Sequence, residues 1–111
     1  MLNKAILLFC LSLIGISAQA QNYAENIAHN IAKGMMDSLN LSEKQRLKIY
    51  QVNLHLHSQK MQMREKYGTT DSLSKKIQQV ENTRDSLYKA VLPAGIYLQY
   101  KTKKKTLIRG Q

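Results

Sequence analysis

Cysteine is almost absent from this sequence of 111 residues. The single cysteine, Cys10, lies inside an apolar run near the amino terminus. A chain with one cysteine forms no internal disulfide, and we expect Cys10 to be removed together with the segment that contains it. A short chain without disulfides buries a small core, so its stability must come from that core or from association with another subunit.

Negative charge and aromatic side chains are also scarce. The chain has 17 Lys and Arg against 7 Asp and Glu, a net charge of +10, and it contains one Phe and no Trp. Such a surface attracts anions: nucleic acid, acidic lipid or acidic stretches of unfolded polypeptide. Because few aromatic rings are available for base stacking, we expect no nucleic-acid partner.

Residues 1–20 have the three zones of a cleavable signal peptide. Lys4 supplies a positive charge, residues 5–16 form an uncharged apolar run, and Ala18-Gln19-Ala20 is the small-x-small pattern of a signal-peptidase site. A membrane anchor is the alternative, but a spanning helix needs about 20 apolar residues and this run is shorter. We therefore expect cleavage before Gln21 and a periplasmic location.

A lipoprotein signal is the weaker reading of the same segment. It would need a small residue immediately before the cysteine, where this chain has Phe9. Because residues 1–20 contain one base and no acid, their removal lowers the net charge by one, to +9.

Proline and glycine are rare after residue 20, and apolar residues recur at helical spacing. A first helix is predicted over 23–39. Ser42 and Gln45 then form a Ser-x-x-Gln capping box, which predicts the start of a long helix that ends near Tyr67, before Gly68. The long helix has two apolar stripes: Leu47, Tyr50, Leu54, His57 and Met61, and beside them Ile49, Val52, Leu56 and Met63. Two stripes need cover on two sides, by an antiparallel helix and by a second subunit.

Thr70 or Asp71 is expected to cap the next helix, which continues to Val91. Pro93 predicts a short last helix, followed by a mobile basic tail. The predicted fold class is all-α: a long antiparallel helical hairpin flanked by two shorter helices and completed by dimerisation. The predicted divisions are a signal peptide (1–20), a helical domain (21–100) and a basic tail (101–111).

Catalytic chemistry is not indicated. The sequence contains no Gly-x-Ser-x-Gly elbow, no His-Glu-x-x-His pair and no phosphate-binding loop, so we expect neither an enzyme nor a bound cofactor. His57 and Met61 share a helix face and could ligate copper(I). Packing of both side chains in the apolar stripe is the favoured alternative, because no further soft ligand has a compatible spacing. The tripeptide Asp-Ser-Leu, at 37–39, 71–73 and 85–87, resembles a bacterial O-glycosylation site, although Asp and Ser also cap helices.

The segment Leu41-Ser42-Glu43-Lys44-Gln45, at the head of a long helix, resembles the LTxxQ motif of small periplasmic proteins of the Spy/CpxP type, with Ser in place of Thr. A second, degenerate copy falls at Leu92 and Pro93 and has no glutamine. The resemblance extends to the layout of most of the mature chain: signal, short helix, motif, long hairpin, motif-like turn and basic tail.

This resemblance implies a thin, curved homodimer that binds unfolded proteins without ATP or senses envelope stress. Its client surface is expected to combine positive charge with adaptable apolar side chains, and the candidate client-binding residues are Lys60, Met61, Met63 and Arg64. Two alternatives remain: an envelope protein that binds acidic lipid headgroups through its basic tail, and a metal-responsive stress protein that uses His57 and Met61.

Overall fold

A computed structural model of the chain describes the backbone of residues 2–108 and the side chains of residues 19 and 21–108. These residues form five helices and no strand: α1 (Leu2–Leu39), α2 (Glu43–Tyr67), α3 (Leu73–Glu81), α4 (Arg84–Val91) and α5 (Ala94–Leu107). The prediction of an all-α fold is confirmed. Within the described part of the chain, none of the helices combines the length and the apolar character needed to cross a membrane. The side chains of the predicted signal run and of Ala18 and Ala20 lie outside the described residues.

The turn between α1 and α2 has a defined geometry. Asn40 adopts a left-handed conformation with φ of 54°, and the Leu41 N–H donates to the Met36 carbonyl at 3.1 Å. This bond closes the end of α1 in the manner of a Schellman motif. The predicted capping box follows, because the Gln45 N–H donates to Ser42 Oγ at 3.1 Å and the Ser42 N–H donates to Gln45 Oε1 at 2.8 Å.

Helix α2 lies between α1 on one side and α3 and α4 on the other. The His29 and Tyr50 rings of α1 and α2 stack with centroids 4.0 Å apart. On the other side, Lys60 contacts Glu81, the last residue of α3, and Asn53 contacts Arg84, the first residue of α4. Helix α2 ends at Tyr67, as its sequence predicts.

The predicted continuous helix up to Val91 is interrupted. The Thr83 hydroxyl donates to the Val80 carbonyl at 2.7 Å, and its N–H donates to the same carbonyl at 3.1 Å. This tight turn separates α3 from α4, an effect of threonine side-chain bonding within a helix. The expected cap at Thr70 or Asp71 is also wrong, because α3 begins after Ser72 without a side-chain cap bond.

The basic segment is not a free tail over its described part, contrary to the expectation of mobility from residue 101. Residues 101–107 continue α5. Lys101 and Lys104 contact Asp85 of α4 at 2.6 and 3.0 Å, and Lys103 Nζ donates to the carbonyl of Ser38 at 2.9 Å. Asp85 of α4 and the Ser38 carbonyl at the end of α1 therefore hold lysines that the sequence predicts to lie in a mobile tail. Residues 109–111 lie outside the described residues.

One apolar cluster joins α1, α2, α4 and α5. Its buried members are Ile31, Ala32, Met35, Leu39, Leu41, Ile49, Tyr88, Leu92 and Tyr100. The two leucines of the motif-like segments, Leu41 and Leu92, belong to this same cluster, whereas Pro93 is exposed at the start of α5. Leu41 and Leu92 are thus core residues in this fold.

Replacement of Ser42 by alanine should lower the free energy of unfolding by about 1 kcal/mol, because the N–H of Gln45 loses its acceptor. Urea denaturation followed by circular dichroism measures the change. Ser58→Ala, at an exposed position within the same helix, is the matched control and should leave stability unchanged or slightly raised. Equal stability of the Ser42 variant and the wild type would show that the capping box contributes nothing.

Candidate functional site

The buried face of α2 contains polar as well as apolar side chains. Its fully buried residues are Ile49, Asn53, Leu56 and Lys60. Only 3% of Lys60 is exposed, and its Nζ contacts Glu81 Oε2 at 2.5 Å. Lys60 was predicted to contact clients, and that prediction is wrong, because the lysine is buried against α3 and its charge is neutralised there.

Arg84 is the centre of a buried hydrogen-bond network. Its guanidinium is fully buried, and Nη1 donates to Asn53 Oδ1 at 2.9 Å and to the Tyr88 hydroxyl at 2.8 Å. The Tyr88 hydroxyl also donates to Asn53 Oδ1, while Asn53 Nδ2 donates to the Ala28 carbonyl of α1 at 3.2 Å. One amide side chain therefore connects α1, α2 and α4.

Glu81 completes the network at its outer end. It accepts hydrogen bonds from Arg84 Nε at 2.6 Å and from Lys60. Burial of Glu81 opposes its negative charge, but the hydrogen bonds from Arg84 and Lys60 outweigh that effect and lower its pKa. Burial raises the pKa of Tyr88 to about 12. Among the described residues every buried side-chain nitrogen and oxygen has a partner, so this network is suited to holding helices together.

The exposed edge of α2 is the first candidate binding surface. Leu47, Leu54 and Met61 follow one another at intervals of seven residues, and Leu47 and Met61 are 44% and 46% exposed. We call these three residues the apolar edge. The predicted client residue Arg64 lies beside it, with Nη1 at 3.9 Å from the Met61 sulfur. Tyr23 of α1, also largely exposed, approaches the edge through an edge-on contact with the ring of His57.

Met63 does not share this surface with Met61. Side chains that are two positions apart in an α-helix point in directions about 200° apart around the helix axis. Met63 is accordingly half-buried on the flank that faces α3 and α4, whereas Met61 is exposed on the other flank. The predicted residues Lys60, Met61, Met63 and Arg64 therefore do not form one surface. Of these four, only Met61 and Arg64 are exposed, and they lie next to each other.

His57, which could ligate copper(I) together with Met61, lies close to Arg64 and Lys60. No group of three or more His, Cys, Asp or Glu side chains in the described part of the chain could hold a metal ion. Burial lowers the pKa of His57, and the nearby charges of Arg64 and Lys60 lower it further. The alternative of core packing applies to His57 in part and not to Met61, which is exposed.

A groove between α2 and α4 is the second candidate surface, and sequence reasoning missed it. It has a volume of about 380 Å³ and is lined by Lys48, Gln51, Val52, His55, Leu87 and Val91. Its α2 wall carries Lys48 and His55, while Leu87 and Val91 come from α4. The signal in the sequence was the pair Leu87 and Val91 at helical spacing, but only the docking of α4 on α2 shows that neither residue is fully covered.

Asp85 anchors α5 to α4. It accepts hydrogen bonds from the Tyr100 hydroxyl at 2.9 Å and from Lys101 at 2.6 Å, and Lys104 lies at 3.0 Å. Burial opposes the charge of Asp85, but the bonds from Lys101, Lys104 and Tyr100 prevail and lower its pKa to about 2. Burial and the hydrogen bond to Asp85 raise the pKa of Tyr100.

Comparison with known proteins returns no match: neither a protein family, nor a curated protein, nor a solved structure is similar to this chain. The resemblance to Spy/CpxP-type proteins therefore rests on the segment from Leu41 to Gln45, on Leu92 and Pro93, and on the layout of the chain.

Removal of the Tyr88 hydroxyl tests the buried network. Tyr88→Phe keeps the ring but leaves Asn53 and Arg84 with one partner fewer, so the free energy of unfolding should fall by about 1–2 kcal/mol. Urea denaturation measures the change. Tyr97→Phe, at a half-buried ring on α5, is the matched control and should change stability less. A Tyr88 variant as stable as this control would contradict the role assigned to the network.

The low pKa of Asp85 predicts how stability depends on pH. Since the folded pKa of about 2 lies below the ordinary value of 3.8, the contribution of Asp85 is complete above about pH 5 and is lost as pH falls towards 2. Asp85→Asn should therefore be less stable than the wild type at pH 7, and the difference should shrink at pH 2.5. Asp37→Asn, at an exposed site, is the control. A difference that is independent of pH would disprove the assignment.

Proposed function

We propose that this chain is an exported, non-enzymatic helical protein of the Spy/CpxP type that binds unfolded polypeptide without ATP. The observation that carries the proposal is the apolar edge of α2, in which Leu47 and Met61 are exposed and Leu54 is half-buried, on a strongly basic molecule. An apolar patch that stays exposed on a polar surface is typical of an interaction site.

The apolar edge and the net charge supply complementary parts of client binding. Met61 is flexible and polarisable, so it adapts to unlike apolar partners. The excess of lysine and arginine attracts acidic segments over longer distances and raises the rate of encounter. Contacts of this kind are weak and broad, which allows a client to fold while it stays associated.

Dimerisation is a further part of the proposal. Leu47, Leu54 and Met61 have the seven-residue spacing of a coiled-coil seam, so a second copy could pack on the same edge and complete the helical hairpin. Binding of a client and binding of a second copy at this edge predict different results for Met61→Asp. Loss of client binding without a change in sedimentation coefficient identifies a client surface, whereas a fall in sedimentation coefficient identifies a dimer seam.

Binding to acidic lipid is the second candidate function, and one observation favours it. Leu98 is 66% exposed, and Lys101 and Lys105 lie on the same face of α5 at spacings of three and seven. Lys101 is also held by Asp85, which leaves Lys105 as the more available charge. Vesicles containing acidic lipid should bind the chain at low salt and release it at high salt, and Lys105→Glu should weaken that binding.

The decisive measurement is aggregation of a chemically unfolded test protein, with and without the mature chain (residues 21–111), in the absence of ATP. We expect suppression at near-stoichiometric ratios. Met61→Asp should raise the amount needed for half-suppression roughly fivefold, which corresponds to about 1 kcal/mol of client affinity. Gln62→Asp makes the same change of charge on the outer surface of α2 and should have a smaller effect. The absence of suppression by the wild type would reject the proposal.

A further inference from the structure

The groove between α2 and α4 has an apolar floor and a basic rim. Val52, Leu87 and Val91 supply the floor, and Lys48, Gln51 and His55 form the α2 wall. None of the six lining residues is acidic. Lys44 lies one turn before Lys48 on the same exposed face of α2, so positive charge continues along this wall.

The shape of the groove suits an extended chain. Its volume of about 380 Å³ falls in the range of about 300–1,000 Å³ found for ligand sites. The groove is open to the surface. A polypeptide can therefore insert one side chain into it while its backbone continues past the groove in both directions. A fully enclosed cavity would instead favour a small, separate molecule.

The buried network joins the two helices that line the groove. Val52 precedes Asn53 in α2, and Leu87 precedes Tyr88 in α4. Asn53 and Arg84 are joined at 2.9 Å, and the Tyr88 hydroxyl donates to Asn53. The two walls are therefore held together by groups next to the floor residues, and a preformed pocket costs less ordering when a ligand binds.

We infer that this groove binds segments of unfolded polypeptide in which an aliphatic side chain is flanked by aspartate or glutamate. The aliphatic side chain contacts Val52, Leu87 and Val91, and the carboxylates face Lys48 and Lys44. The inference rests on the proposed function and names the class of client segment that this site selects.

Fluorescence anisotropy with three labelled peptides tests the inference, on the full chain expressed with residues 1–20 so that the host processes it. The first peptide has leucine flanked by glutamates, the second has alanine in place of leucine, and the third has lysines in place of the glutamates. The first peptide should bind most tightly. Lys48→Glu should weaken its binding roughly fivefold, whereas Lys33→Glu, the same change of charge at an exposed site on α1, should weaken it less than twofold.

Two results would overturn the inference: equal binding of the leucine and alanine peptides, or equal effects of Lys48→Glu and Lys33→Glu, which would indicate attraction by net charge alone. The aggregation assay separates this failure from failure of the proposed function. Suppression that Met61→Asp weakens and Lys48→Glu does not would overturn the groove site and leave the proposed function standing. Peptide binding with the expected pattern but without suppression would support the groove site and reject the chaperone function.

Discussion

The charge of Arg84 in the interior of the molecule constrains the rest of the structure. A buried guanidinium is tolerated only when its donors and its charge are matched by nearby acceptors. Glu81, Asn53 and the Tyr88 hydroxyl provide them. Because these groups belong to α2, α3 and α4, the packing of those helices has to keep the acceptors within reach of Arg84.

The same shortage of acids that makes the chain basic determines how its helices are joined. With 7 acidic against 17 basic side chains, an acid placed at a helix contact serves several bases. Glu81 binds both Lys60 and Arg84, and Asp85 binds both Lys101 and Lys104. Glu81 thus connects α3 with α2 and α4, and Asp85 connects α4 with α5, while lysines such as Lys44, Lys48 and Lys105 stay exposed. The exposed positive charge is what remains after these interior contacts are made.

Helix α2 separates two surfaces of different chemistry. One flank presents the apolar edge of Leu47, Leu54 and Met61, next to Arg64 and Tyr23. The other flank meets α4 at a groove with an apolar floor and a basic rim. The buried network joins the helices that lie between these two surfaces. Under the proposed function, the two surfaces would contact different segments of one unfolded chain.

The sequence by itself determined the helical class, the boundary at Tyr67 and the capping box at Ser42 and Gln45, because periodicity and caps act between residues close in the chain. It did not determine that Lys60 is buried or that Lys101 continues a helix, since those outcomes depend on Glu81 and Asp85 brought near by folding. The groove, and the placement of Met61 and Met63 on different flanks of α2, were also decided by the tertiary structure. Which flank of α2 is covered depends on where distant helices dock, and contacts between distant residues leave little trace in local patterns.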